Sequence, residues 1–438
     1  MNAGARGGFG WIDIIRLGSV QASIGAIVMI GTSLLNRLMV VEYGLAAAIP
    51  AGLVAWHYAV QLSRPVWGQG SDRGRQRSPW ILFGMALLGL GALIAVNVTI
   101  MTASDRPFAI LIAILGFTMI GAGVGAAGTS LLALLATGVA PPRRAAAAAI
   151  TWIMMVAGIV AAAGTAGALL DPFSPRRLAL VATGLVAIAL VVTALALFRI
   201  ERRAFAATDH ARGEAPDMRA ALSEMLAEPQ ARRFTIFIFV SMLAYSMQDL
   251  ILEPFAGLVF AMTPGQSTHL SGIQHGGVLV GMIVSGIGGS AFAGRLPVDL
   301  RGWTAIGCLG SALALVGLAL AARAGIGWPL VPNVFVLGFF NGMFAVAAIG
   351  AMMGLAGQGE RSREGVRMGV WGAAQAIAFG LGGLAGALGV DLSRRALGQD
   401  AAAFELIFSL EGGLFVAAAW LSLRMAGRNP TRMRIMES

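Results

Sequence analysis

The sequence predicts an all-α integral membrane protein of twelve transmembrane helices in two pseudo-symmetric six-helix bundles. Three observations carry this expectation: an apolar composition, apolar runs of membrane length along the whole chain, and a repeat between its halves. Of 438 residues, 57% are hydrophobic and only 12% charged, with a mean hydropathy of +0.79. A soluble domain carries about 25% charged residues. At 1.5 Å per residue, about 20 apolar residues cross a hydrocarbon core of roughly 30 Å.

Apolar runs bounded by Arg, Pro and Asp place the spans at 18–41, 46–67, 79–101, 107–138, 146–170, 178–198, 234–260, 271–294, 303–323, 330–356, 368–390 and 402–423. The expected organisation is a first bundle over 1–198, a hydrophilic linker over 199–233, a second bundle over 234–424 and a tail over 425–438. Within the linker, Asp217 is an expected N-cap, Met218, Leu222, Met225 and Leu226 share one face, and Pro229 is a stop, the pattern of a short amphipathic helix on the membrane surface. The N-terminal segment lacks the features of a signal peptide and is expected to be retained.

All 31 basic residues are arginine, and 24 of them fall on the side of the N-terminus against 7 on the other. That asymmetry predicts both termini in the cytoplasm. The net charge of +10 is scattered between apolar runs rather than gathered on a face, so the expected partner is membrane lipid and not nucleic acid. Cys308 is the single cysteine and can form no intrachain disulfide.

A constant offset of 219 aligns Gly123 with Gly342, Gly138 with Gly357, Arg144 with Arg363, Trp152 with Trp371, Gly164 with Gly383 and Gly167 with Gly386. Parallel six-helix repeats are an established transporter architecture. The 60 glycines serve close helix packing, as in the stripes Gly277, Gly281, Ser285, Gly289 and Gly382, Gly386. Gly123, Gly125 and Gly128 have GxGxxG spacing, but with no preceding strand they are packing residues. The chain has no lysine, no HExxH and no Gly-x-Ser-x-Gly, so neither an enzyme nor a metal site is expected.

Polar residues inside spans are functional candidates because burying them is costly. Ser241, Tyr245, Asp249 and Glu253 recur every four residues on one face of the seventh span, with Gln248 beside them. Pro254 follows, so Glu253 is either part of this polar face or an interfacial residue where the helix bends or ends. The first span carries a matching stripe of Gln21, Gly25, Thr32 or Ser33, Asn36, Arg37 and Glu42. Repeat symmetry places Asn36 and Arg37 opposite Gln248 and Asp249, and an Arg37 to Asp249 bridge between the bundles is expected. His57 falls near the midplane of the second span and His275 near the outer start of the eighth. Each is either a hydrogen-bonded packing residue or a ligand or proton carrier, and a neutral imidazole suits the magnesium of a chlorin.

The string WGQGSDRGRQRSP, at 67–79, resembles the loop that marks the major facilitator superfamily, matching at Gly68, Asp72, Arg73, Gly74 and Arg75 with one residue missing between Arg73 and Gly74. The second-half counterpart keeps only Asp299 and Arg301. Five strings are more specific: IGTSLLNRLMVVE at 30–42, YSMQDLILEPFAG at 245–257, SGIQHGGVLVGM at 271–282, NGMFAVAAIGAMM at 341–353 and RMGVWGAAQAIAFGLGG at 367–383. With them the chain resembles the PucC and LhaA group, the bacteriochlorophyll-delivery branch of that superfamily, and within it the members associated with bacteriochlorophyll synthesis genes.

The resemblance implies a membrane assembly factor that takes bacteriochlorophyll as cargo, with chlorophyll synthase as a candidate donor, and hands it to antenna or reaction-centre polypeptides. No covalently bound cofactor and no catalytic residues are implied. The matched positions of interest are Arg37, Gln248, Asp249, Glu253, His275, Arg367, Trp371 and Gln375. Two other readings stand beside it: a proton-coupled small-solute transporter using Asp249, Glu253 or His57, and a scaffold that never touches pigment.

Overall fold

The computed structural model describes residues 8–73, 76–101, 106–140, 143–201, 227–291, 300–356 and 364–424, which are helical with short connections. Helix α1, Trp11–Met29, runs on through two π-helical stretches, Ile30–Leu35 and Leu38–Glu42, and the chain turns at Gly44, whose φ of +60° is the left-handed conformation glycine favours. The remaining helices are α2 (Ala48–Val60), α3 (Arg64–Arg73), α4 (Ser78–Met101), α5 (Arg106–Gly138), α6 (Arg144–Leu170), α7 (Pro175–Leu197), α8 (Pro229–Phe260), α9 (Pro264–Ala291), α10 (Leu300–Ala324), α11 (Leu330–Ala356), α12 (Glu364–Leu397) and α13 (Asp400–Arg424).

Ten described segments have the length and hydropathy to cross a membrane. The other two crossings are α9 and the pair α2 and α3. The expected second span, 46–67, is built in two pieces: α2 stops at Val60, tightens into a 3₁₀ turn over Gln61–Ser63 and resumes as α3. Pro65 is the physical reason, because it offers no N–H to the carbonyl of Gln61. The expected linker helix lies almost wholly outside the described residues, as do Gly74, Arg75 and Asp299.

Helices α1–α7 pack around one apolar core and α8–α13 around another. The pairings repeat: α1 lies along α6 as α8 lies along α12, α4 along α5 as α10 along α11, and α4 along α7 as α10 along α13. Between the bundles, α2 packs on α12 and α6 on α9. Leu180, Ile188, Leu195 and Leu313 are exposed, the outward apolar belt that lipid requires. The glycine stripes are seams. A Cβ at Gly277 or Gly281 would meet the backbone of α11 at Phe335 and Phe339, and Gly386 lies against the Met247 carbonyl of α8.

The face where α1 begins and α13 ends is called the terminal face, the opposite one the far face. At the terminal face, the Glu201 carboxylate accepts from the backbone N–H groups of Arg77 (2.5 Å) and Ser78 (3.1 Å) at the start of α4. At the far face two carboxylates do the same across the bundle boundary. Asp171, just past α6, accepts from the Thr263 hydroxyl (2.6 Å) and the Gly265 N–H (3.1 Å) at the start of α9. Asp391, near the end of α12, accepts from the N–H groups of Ala47 (3.0 Å) and Ala48 (2.8 Å) at the start of α2. A helix start leaves N–H groups without intrahelical partners and carries partial positive charge, so a carboxylate there is doubly favourable. Each bundle therefore caps a helix of the other.

Losing one such cap costs about 0.5–2 kcal/mol. Asp171→Ala and Asp391→Ala should each loosen the far face, raising the labelling rate of a cysteine placed at Ser33 by a membrane-impermeant maleimide roughly fivefold per kcal/mol lost. Unchanged labelling in both variants would show that the caps do not hold the face closed.

Candidate functional site

Beneath the far-face caps, α1, α2, α8, α9 and α12 enclose a polar cavity of about 60 Å³. Its lining includes Ser33, Tyr58, Asp249, Glu253, Gln274 and His275. The four-residue spacing on α8 explains half of it, since Asp249 and Glu253 share one face of a continuous helix. The π-helical stretches of α1 explain the rest. By widening the helix they re-aim Ser33, Asn36 and Arg37, and such insertions concentrate at functional sites.

Pro254 sits inside α8, which continues to Phe260. Having no N–H, it leaves the carbonyl of Leu250 without its usual intrahelical partner. Asn36, 1% exposed, supplies the missing donor: its Nδ2 donates to the Leu250 carbonyl at 2.7 Å. One turn away, the Ser33 hydroxyl donates to Glu253 and lies 3.1 Å from the Ser271 hydroxyl, tying α1, α8 and α9 together.

The expected bridge between Arg37 and Asp249 does not form. Arg37, 1% exposed, donates through Nη1 to Glu42 (2.5 Å) and through Nη2 to the Met262 carbonyl (2.7 Å) just past α8. Gly257 gives the guanidinium room, its Cα side lying against Arg37 Nη2. Depth is the reason for the miss: Arg37 reaches outward to the end of α8, whereas Asp249 faces inward to the cavity, its Oδ1 without a hydrogen bond among the described residues. Gln248, adjacent in sequence, is fully buried with neither end of its amide hydrogen-bonded among the described residues.

His57 is buried on α2, outside the cavity lining, and both ring nitrogens are occupied: Nδ1 lies 3.3 Å from the Val54 carbonyl and Nε2 2.9 Å from Gln61 Nε2, which in turn is joined to Arg64 through its amide oxygen. His275 differs. Its Nδ1 lies 2.9 Å from the Ser271 carbonyl, which can only accept, so Nδ1 carries the hydrogen and Nε2 of the neutral ring is left as an acceptor at the cavity. Gln375 is half-buried on α12, one turn from Phe379, and does not line the cavity. Arg367 and Trp371 lie on α12, and Asp72 and Arg73 end α3, at positions whose side chains are outside the described set; Gly68 lies within α3.

Two features escaped the sequence. Tyr58, Phe379, Tyr245 and Phe344 form a chain of ring contacts from the first bundle into the second, with centroids 5.7–6.3 Å apart. Glu411 on α13 is fully buried within electrostatic reach of Asp249, and among the described residues neither carboxylate oxygen has a hydrogen-bond partner. An acid inside the apolar run FSLEGGLF was the available signal. Asp249, Glu253 and His275 line one cavity, and the described residues hold no cluster suited to a metal ion.

Removing the Asn36 donor leaves a buried carbonyl unsatisfied, a cost of about 1–3 kcal/mol. In a Pro254→Ala background the new N–H serves that carbonyl, so Asn36→Ala should cost measurably less there than in the natural sequence. Thermal unfolding of the four proteins in detergent measures the cycle. Strictly additive costs would show that Asn36 does not answer the proline.

The family model for the PUCC protein matches residues 34–429. The chain is 51% identical over 431 residues to the bacteriochlorophyll synthase 44.5 kDa chain of Rhodobacter capsulatus, covering 97% of this chain and 99% of that one. It is 28% identical over 388 residues to protein PucC of Rhodobacter capsulatus, covering 84% and 81%. Among solved structures, a POT family transporter in complex with a thioalcohol-conjugated peptide superposes with a TM-score of 0.69 at 12% identity, over 95% of this chain and 96% of that one. The structural likeness carries the major facilitator fold and no residue roles, while the match over residues 34–429 settles the family. The chain belongs to the PucC family of membrane proteins.

Proposed function

We propose that this protein is a non-enzymatic assembly factor of a bacterial inner membrane, with both termini cytoplasmic, that carries bacteriochlorophyll to light-harvesting or reaction-centre polypeptides. The observation that carries the reading is the near full-length identity of 51% to a chain whose name places it with bacteriochlorophyll synthesis. The cavity agrees with it. At about 60 Å³ it admits water-sized occupants and no solute of metabolite size. Pigment is then held outside this inner cavity, and the donor and receiving polypeptides dock within the membrane. Chlorophyll synthase fits the place of the donor.

A second reading, a proton-coupled small-solute transporter, is favoured by one observation: Asp249, with an unpartnered buried oxygen, and Glu253 line a cavity at the junction of two facilitator bundles.

The protein purified from a phototrophic host should carry bacteriochlorophyll in a fixed molar ratio, read from its near-infrared absorption. Pigment-free protein that drives solute uptake into proteoliposomes under a pH gradient, with uptake lost in Asp249→Asn, would replace the first reading with the second.

A further inference from the structure

A second cavity, of about 660 Å³, lies at the far-face rim where α6 of the first bundle meets α8, α9 and the turn between α10 and α11. Its volume is that of a pocket for a drug-sized ligand. The walls are apolar and aromatic, with Phe260, Met262, Leu270, Ile273, Trp328 and Leu330 among them. Trp328 is fixed in place, its Nε1 donating to Asn333 Oδ1 at 3.0 Å. At the mouth stand Ile326, 81% exposed, and Val331.

One strongly ligating side chain lines this cavity: His269, on the second turn of α9. It is exposed, and among the described residues no hydrogen bond or ion pair engages its imidazole. The wall on the side of α6 is formed by close backbone approach, with the backbone and Cβ of His269 next to Gly167, so the ring is carried on a rigid seam.

The cavity does not suit a phospholipid headgroup. No arginine is among its lining residues, and the one charged group there, Asp171, is already engaged by Thr263 and Gly265 and would repel a phosphate. What fits is a flat, apolar, uncharged ring system that asks for a single nitrogen ligand. Resting on the delivery reading above, we propose that this cavity is the pigment site and that His269 is the axial ligand to the magnesium of a tetrapyrrole. A neutral imidazole is a common metal ligand, and this one is unengaged. The cavity accommodates the macrocycle, and the hydrocarbon tail runs out past Ile326 and Val331 toward lipid. Its place at the seam of α6 and α9 also exposes the site to the relative movement of the bundles.

The test titrates full-length protein in nanodiscs with bacteriochlorophyll and, separately, with its magnesium-free analogue bacteriopheophytin, reading fluorescence quenching for affinity and the visible band that reports magnesium coordination number. The natural protein should bind the magnesium pigment more tightly than the magnesium-free one. His269→Leu should lose about tenfold or more for the magnesium pigment alone, by analogy with metal-site losses. Millimolar imidazole should restore binding and the coordination band to His269→Gly. Ile273→Trp, which fills the cavity, should weaken both pigments.

If His269→Leu binds the magnesium pigment as the natural protein does, the assignment of the site is overturned while pigment delivery stands. If the natural protein binds neither pigment, both readings fall. If Ile273→Trp leaves both affinities unchanged, or if phospholipid competes equally with either pigment, the cavity is a lipid groove and the proposal fails.

Discussion

The carbonyl of Leu250 is the point on which the closed far face depends. Pro254 takes away its intrahelical donor, and an unsatisfied carbonyl at membrane depth is too costly to leave. Asn36 of the other bundle provides that donor at 2.7 Å. A defect within one helix thereby becomes a bond between two bundles. Its neighbours extend the same junction: Ser33 to Glu253 on the inner side, Arg37 to the Met262 carbonyl on the outer. Arg37 can be buried because Glu42 lies five residues on, across the π-helical turn that brings it within 2.5 Å.

Around this junction the repeat acts reciprocally. Asp171 and Asp391 occupy equivalent places at the ends of α6 and α12, and each meets the start of a helix in the other bundle. Their separation is 220 residues, one more than the offset that aligns the glycines. Two carboxylates at two helix starts give the far face an interaction that is orientation-specific and reversible. Lipid supplies no hydrophobic driving force between helices, so such polar contacts matter more there.

The two cavities divide the chemistry. The inner one is small and carries carboxylates, an imidazole acceptor and tyrosine-bearing walls, a setting for protons and water. The outer one is about 660 Å³, mostly apolar, and carries one imidazole with no hydrogen bond among the described residues, a setting for a large neutral ring. The caps that close the far face also border the outer cavity, since Asp171 lines it. Separation of the bundles would therefore alter both at once, which joins the outer cavity to the state of the junction.

Composition and periodicity determined the membrane class, the helical content and the two-bundle repeat, because lipid permits few ways to satisfy a backbone and each leaves a long apolar run. The four-residue stripe on α8 likewise marked Asp249 and Glu253, since a helix fixes which side chains share a face. Partners were not determined. Arg37 was paired with Asp249 by symmetry, yet finds Glu42 because two π-helical stretches turn and deepen α1, and hydropathy does not register a π-turn. His269 falls just before the expected eighth span and Glu411 inside the twelfth, each isolated in its own segment. Only the tertiary structure decided that His269 stands in a cavity made by four helices and that Asn36 answers Pro254, since both depend on contacts between residues more than fifty positions apart or in opposite halves of the chain.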